Sequence, residues 1–305
     1  MSAIDKALGL FWLNTKRMDD NRIATLSFPD GVTESNNHEY LPDGHIYHKL
    51  DVYYPENTEG KLPVIIDIHG GGWMYGDKEL NKIYCMTLAK KGYVVFNMSY
   101  RLYPEVNVRD QLWDISNALK WIKDNMDSFP CQQNNIFLTG DSAGGMLAFF
   151  TAMICGSEYL QEKFDTVATG MSFNAIGLTC PMLFMNDGSK ESLYCRIMLG
   201  DNYKNEKWGN LVNMDNLLPY SKVPPTFIMT SSGDFLAKKH TRKGADYLKA
   251  IGADYRFMDF APFEGKDLPH VFPVLYPESE ISQRAIDGML SFFIKHAQAE
   301  ENLTV

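Results

Sequence analysis

The chain has 305 residues, 45% hydrophobic, 13% aromatic and 22% charged. That composition excludes extended disorder and leaves room for one large α/β domain or two smaller ones. A net charge of −9 repels phosphate backbones and anionic lipid, so neither nucleic acid nor a membrane surface is an expected partner.

The first twenty residues carry Ile4, Leu8 and Phe11 at helical spacing. They do not read as a signal peptide. The apolar stretch from Ala7 to Leu13 is short, and Lys16 and Arg17 follow it where a small-residue cleavage site belongs. No run of 18 apolar residues exists, so no transmembrane helix is expected. From about residue 45, strand and helix patterns alternate. A weak strand at Glu34–Tyr40 precedes strands at His48–Tyr54, Val64–His69, Tyr93–Ser99, Ile136–Thr139, Gly177–Leu183, Thr226–Ser231 and Tyr255–Phe260. Several are continuous apolar runs, as strands covered on both faces require. Helices are expected at about 108–126, Ala143–Ile154, Lys239–Ile251 and Ser282–Ala297. The alternation predicts a mostly parallel, doubly wound α/β sheet with helices on both faces.

Two segments stand outside this alternation. Residues 1–20, and residues 186–218 with Tyr194, Tyr203 and Trp208, are candidate cap elements over a pocket. The whole of 1–305 is read as one domain carrying that small cap.

The residues 139–145 read Thr-Gly-Asp-Ser-Ala-Gly-Gly. Gly140-Asp141-Ser142-Ala143-Gly144 fits the nucleophile elbow G-x-S-x-G, with a strand before it and a proline-free helix after it. The serine sits on a strained turn, and the positions two before and two after must be small. Upstream, His69-Gly70-Gly71-Gly72-Trp73 follows directly on a strand. Consecutive glycines leave backbone N–H groups unobstructed, as an oxyanion hole requires, and Ala143 supplies another donor. His69 is expected to orient this loop rather than act as base.

Three histidines follow Ser142. His240 lies in a Lys-Lys-His-Thr-Arg-Lys run, read as a solvated face, and His296 near the end of the last helix. His270, between the last strand and the last helix, is the expected base. The acid should follow a strand at its C-terminal end. Asp234 fits best, with Asp259 and Glu264 as rivals and Asp201 less favoured. Asp67, inside an apolar strand, has no assigned role and should have a hydrogen-bonded partner.

With these residues placed, the chain resembles α/β-hydrolases of the hormone-sensitive-lipase-like group and the related bacterial carboxylesterases and acetylesterases. The resemblance runs from about residue 45 to 296. It is carried by His69–Trp73, Tyr100-Arg101-Leu102-Tyr103-Pro104-Glu105, Gly140–Gly145, Asp234 and His270-Val271-Phe272. It implies the α/β-hydrolase fold, a triad of Ser142, Asp234 and His270, and an oxyanion hole from the N–H groups of Gly71, Gly72 and Ala143. It also implies a supporting pair between Arg101 and Asp114. Tyr103 departs from the family, which has alanine there, and the surroundings of Asp234 are only loosely family-like.

The function these features imply is serine-dependent hydrolysis of small, short-acyl carboxylic esters. Trp73, Tyr75 and Trp208 are expected to narrow the substrate pocket. The alternatives are an amidase, formamidase or peptidase on the same machinery, and a catalytically inactive ligand-binding scaffold. No metal or organic cofactor is expected, because no histidines, cysteines and carboxylates stand at metal-ligand spacing. The five cysteines are odd in number and form no CxxC pair. Reduced thiols of a cytoplasmic protein are the simplest reading. Association with copies of itself is compatible with the sequence but not specified by it.

Overall fold

The computed structural model describes residues 3–190 and 192–299, with side chains from Leu8 onward. The ends of the expected 1–305 domain, the side chain of Ile4 and position 191 of the second cap segment lie outside the described residues.

Eight strands form one sheet: β1 (Val32–Glu39), β2 (Lys49–Pro55), β3 (Leu62–Ile68), β4 (Val94–Met98), β5 (Cys131–Asp141), β6 (Ala175–Thr179), β7 (Thr226–Ser231) and β8 (Tyr255–Phe260). Their order is β1-β2-β4-β3-β5-β6-β7-β8. β1 and β2 run antiparallel at one edge, and every pairing from β4 to β8 is parallel. This is the mostly parallel sheet of an α/β-hydrolase. Its middle strands are mostly apolar, with single buried polar residues such as Asp67 and Asn97, because both faces are covered. Val64 to Ile68 in β3, all of β4 and all of β7 are buried.

The expected strand at Gly177–Leu183 is shorter in the structure and ends at Thr179. Cys180 turns to a positive φ of 48°, and Pro181 has no N–H to extend the ladder. Two helices carried no clear pattern in the sequence, Lys82–Lys90 and Glu158–Phe164. The first is buried at six of nine positions, so it lacks the polar stripe that reveals a surface helix.

The first helix, Ala3–Ile23, lies on the domain. Its inward face differs from the expected one. Phe11 is 58% exposed, whereas Leu8 packs against the core and Trp12 stacks on Tyr75. Asp19 and Arg22 pin the helix's end: Asp19 accepts from the Tyr75 hydroxyl at 3.0 Å, and Arg22 donates to the Leu275 carbonyl at 2.7 Å. Among the described residues, no helix is long and apolar enough to cross a membrane.

Candidate active site

Ser142 sits where β5 ends and the helix Ser142–Cys155 begins. Its φ is +52°, the left-handed strain that an elbow imposes. The flanking glycines are required by close approach. A Cβ on Gly140 would lie 2.3 Å from the Gly144 carbonyl oxygen, and one on Gly144 would lie 2.1 Å from that of Ile68. The helix start also aims its positive end at the serine.

His270 follows β8, and its Nε2 lies 2.9 Å from Ser142 Oγ. Its Nδ1 lies 2.7 Å from Asp234 Oδ1. Asp234, just past β7, is buried and further held by the Ala237 N–H at 2.8 Å and the Thr230 hydroxyl at 2.8 Å. Burial pushes its carboxyl up. The hydrogen bond and charge of His270, with those two donors, outweigh burial and leave it below the usual carboxylate range. Three sequence-distant residues thus form one continuous hydrogen-bonded line. The rival acids are elsewhere. Asp259 pairs with Arg242, Glu264 stands on an exposed turn, and Asp201 is exposed.

The glycine loop crosses beside this line, with positive φ at Gly71 (102°), Gly72 (57°) and Trp73 (62°). The Gly70 carbonyl accepts from His69 Nδ1 at 2.7 Å, which fixes the proton on Nδ1. The Gly71 carbonyl accepts from the Tyr75 N–H at 3.0 Å. A trans peptide sets C=O and N–H on opposite sides, so these bonds turn the Gly71 and Gly72 N–H groups the other way. Among the described residues, nothing accepts from either N–H. His69 is fully buried and stacked on Tyr100, ring centroids 4.4 Å apart. Burial lowers its pKa to about 4, so it is a neutral orienting group.

The other expected residues fall in several places, some as expected and some not. Trp73 is 1% exposed and inside the core. Its carbonyl, not its ring, reaches out, to the Tyr103 N–H and Gln111 Nε2, each at 2.9 Å. Trp208 is buried against Phe164 and Tyr203, and no contact links it to Ser142 or His270. Tyr75 borders the glycine loop and stacks on Trp12 at 5.3 Å. His240, expected on a solvated face, is buried, and its Nδ1 accepts from the Phe184 N–H at 3.2 Å. Arg101 and Asp114 form the implied pair through bonds of 2.6–3.1 Å.

Two contributors, Asp141 and Asn81, were given no role in the sequence, and a third, Tyr194, was named there only as part of the candidate cap. Asp141, inside the elbow motif itself, accepts from the Gly70 N–H at 3.0 Å and from Asn81 Nδ2 at 2.8 Å. Asn81 also donates to Asp67 at 2.8 Å, which explains that buried carboxyl. Tyr194 donates its hydroxyl to the Gly72 carbonyl at 2.8 Å.

The BD-FAE family matches residues 50–239, more than half of the sequence, including the glycine run, the elbow and Asp234. The chain belongs to the BD-FAE family. The expected base, His270, lies beyond the matched part of this BD-FAE chain. Among curated proteins it is similar to isoprenylcysteine alpha-carbonyl methylesterase ICME of Arabidopsis thaliana, 25% identical over 267 residues. That match covers 84% of this chain, which spans 61% of the relative's length. Among solved structures it is similar to esterase B from Lactobacillus rhamnosis, with a TM-score of 0.89 and 29% identity over 96% of this chain and 95% of that one. The same esterase has been solved inhibited by a C4-C4 tributyrin phosphonate. A bacterial heroin esterase, at 22% identity and a TM-score of 0.70, shares the fold.

Cys180 completes a cluster with Asp234 and His270 whose possible ligand atoms lie within 4.8 Å of one another. Burial, with Asp234 beside it, pushes the Cys180 thiol well above its ordinary pKa. It is therefore a neutral thiol beside the Asp234–His270 pair.

Proposed function

We propose that this protein is a serine carboxylesterase that hydrolyses small, short-acyl esters through an acyl-enzyme. One observation carries the reading: the unbroken line from Ser142 Oγ through His270 to Asp234, set beside a glycine loop with free N–H groups. Neutral His270 takes the serine proton at Nε2 as Oγ attacks the ester carbonyl. Asp234 holds the Nδ1–H tautomer and offsets the charge that forms on the ring. The developing oxyanion is received by the N–H groups of Gly71, Gly72 and Ala143. His270 then protonates the departing alcohol, and water, activated by the same imidazole, releases the acid.

The comparisons support an ester rather than another acyl substrate, since esterase B is similar over nearly the whole chain and binds ester-like phosphonates. A short acyl group is supported by the rings of Trp12, Tyr75 and Tyr194 gathered at the oxyanion loop. We read the chain as one hydrolase domain, with the first helix and residues 186–218 as its cover. Five cysteines with no disulfide among them favour a reducing, cytoplasmic setting. The test is the specificity constant across nitrophenyl esters from acetate to palmitate, with a nitroanilide alongside. The reading expects the maximum at short chains and none of it in Ser142→Ala. Rising activity through palmitate, or faster cleavage of the anilide, would overturn it.

A further inference from the structure

Three glycines in a row carry no side chain to hold their peptides, so each must be fixed by something outside the loop. The Gly70 and Gly71 carbonyls are fixed locally, by His69 and by the Tyr75 N–H. The Gly72 carbonyl is not. Its donor is Tyr194, 122 positions away in the second candidate cap segment. The Tyr194 hydroxyl in turn accepts from Trp12 Nε1 on the first helix, at 3.3 Å. These groups press directly on the glycine. A Cβ on Gly72 would lie 2.4 Å from the Trp12 ring and 2.8 Å from the Tyr194 hydroxyl.

We propose that Tyr194 is a positioning residue of the oxyanion hole, oriented by Trp12, so that the cap sets the geometry of the electrophile site as well as covering it. The inference rests on the esterase reading above. Releasing the Gly72 carbonyl frees the Gly72–Trp73 peptide to rotate. Gly72, at φ +57°, is the joint between that peptide and the one bearing the Gly72 N–H. The cost should fall where negative charge develops on the substrate oxygen and not where neutral substrate binds.

The experiment uses Tyr194→Phe, which keeps the ring and removes the hydroxyl, and Trp12→Phe, which keeps an aromatic ring against Tyr75 and removes the N–H. Turnover of nitrophenyl acetate is expressed per site titrated by the burst, so that any unfolded fraction drops out. Loss of a direct oxyanion donor costs about a hundred- to a thousandfold. Loss of a group acting through the donor should cost less, about tenfold in kcat with KM nearly unchanged. Affinity for a trifluoromethyl ketone, which forms an oxyanion on Ser142, should fall by the same factor. Affinity for the corresponding alcohol should not move. Trp12→Phe should give a smaller change in the same direction. Wild-type kcat and ketone affinity in Tyr194→Phe would overturn the inference alone, and so would equal losses for ketone and alcohol. A wild-type protein inert towards both ester and ketone would overturn the esterase reading and this inference with it.

Discussion

The two halves of the site are built in opposite ways. On the triad side, the working atoms belong to side chains, and those side chains hold one another. Ser142, Asp234 and His270 stand just past β5, β7 and β8 and are linked at 2.9 and 2.7 Å. On the proposed oxyanion side, the working atoms are backbone N–H groups of glycines, and apart from the Tyr75 N–H on the Gly71 carbonyl the restraints come from other side chains. Asp141 holds the Gly70 N–H, His69 its carbonyl, and Tyr194 the Gly72 carbonyl. Ser142 and His270 should therefore be dispensable for folding but not for chemistry, whereas Asp234, which also accepts from Ala237 and Thr230, should serve both. An anchor of the glycine loop serves both.

That contrast can be broken by mutation. Ser142→Ala and His270→Ala should each lower kcat for nitrophenyl acetate by at least about a thousandfold. Their thermal midpoints should stay near wild type, because neither residue supports the core. A tenth of wild-type turnover left in either variant would remove it from the triad. Asp141→Ala should do less to catalysis and more to stability. It leaves the buried Gly70 N–H without its acceptor and Asn81 with Asp67 alone, at a cost of about 1–3 kcal/mol for an unpaired buried group. Turnover should fall about tenfold to a hundredfold as the loop loosens. If Asp141→Ala melted like wild type, the loop would have to be held by something else. His69→Ala should follow the same pattern more weakly, by about tenfold in kcat for nitrophenyl acetate.

The smallest effect comes from comparing two buried carboxyls. Asp234 faces an imidazole and lies below the ordinary range. Asp67 is equally buried but has Asp141 as its charged neighbour, and burial plus that repulsion push it to about 7 from 3.8. The folded protein therefore binds a proton at Asp67 that the unfolded chain releases. Its stabilising contribution is full below about pH 4 and is lost as pH rises towards 7. Asp67→Asn stays neutral throughout. Its melting temperature should fall less than that of wild type between pH 5 and pH 8, by a few degrees for each kcal/mol. Parallel curves for the two proteins would show that Asp67 does not titrate there.

The triad side was largely legible in the sequence because its residues follow strand ends in a set order. Gly140, Ser142 and Gly144 reveal themselves by local spacing, and His270 by its place between the last strand and the last helix. On the cap side the two segments and Tyr194 were nominated, but their contacts were not legible. That Trp12 and Tyr194 meet at Gly72 depends on chain segments 182 residues apart, and no periodicity records it. Adjacency also misled. Trp73 follows the glycines directly, yet its left-handed backbone turns the ring into the core. Trp208 looked like part of a lid because it is aromatic in an insertion, but it fills space behind Phe164. His240 sat among charged residues, but one face of that helix is buried, and the histidine lies on it.

One carboxylate oxygen, Asp141 Oδ1, is shared between the Gly70 N–H and Asn81. The elbow and the glycine run, 71 positions apart, are thereby joined by a single atom. In evolutionary terms they form one character rather than two. A change at 141 cannot be inherited freely. It must arrive with a compensating donor or acceptor at Asn81 or a rebuilt turn at Gly70. Lineages of this protein should consequently exchange the triplet of positions 70, 81 and 141 together, even where the rest of the helix Ser142–Cys155 drifts.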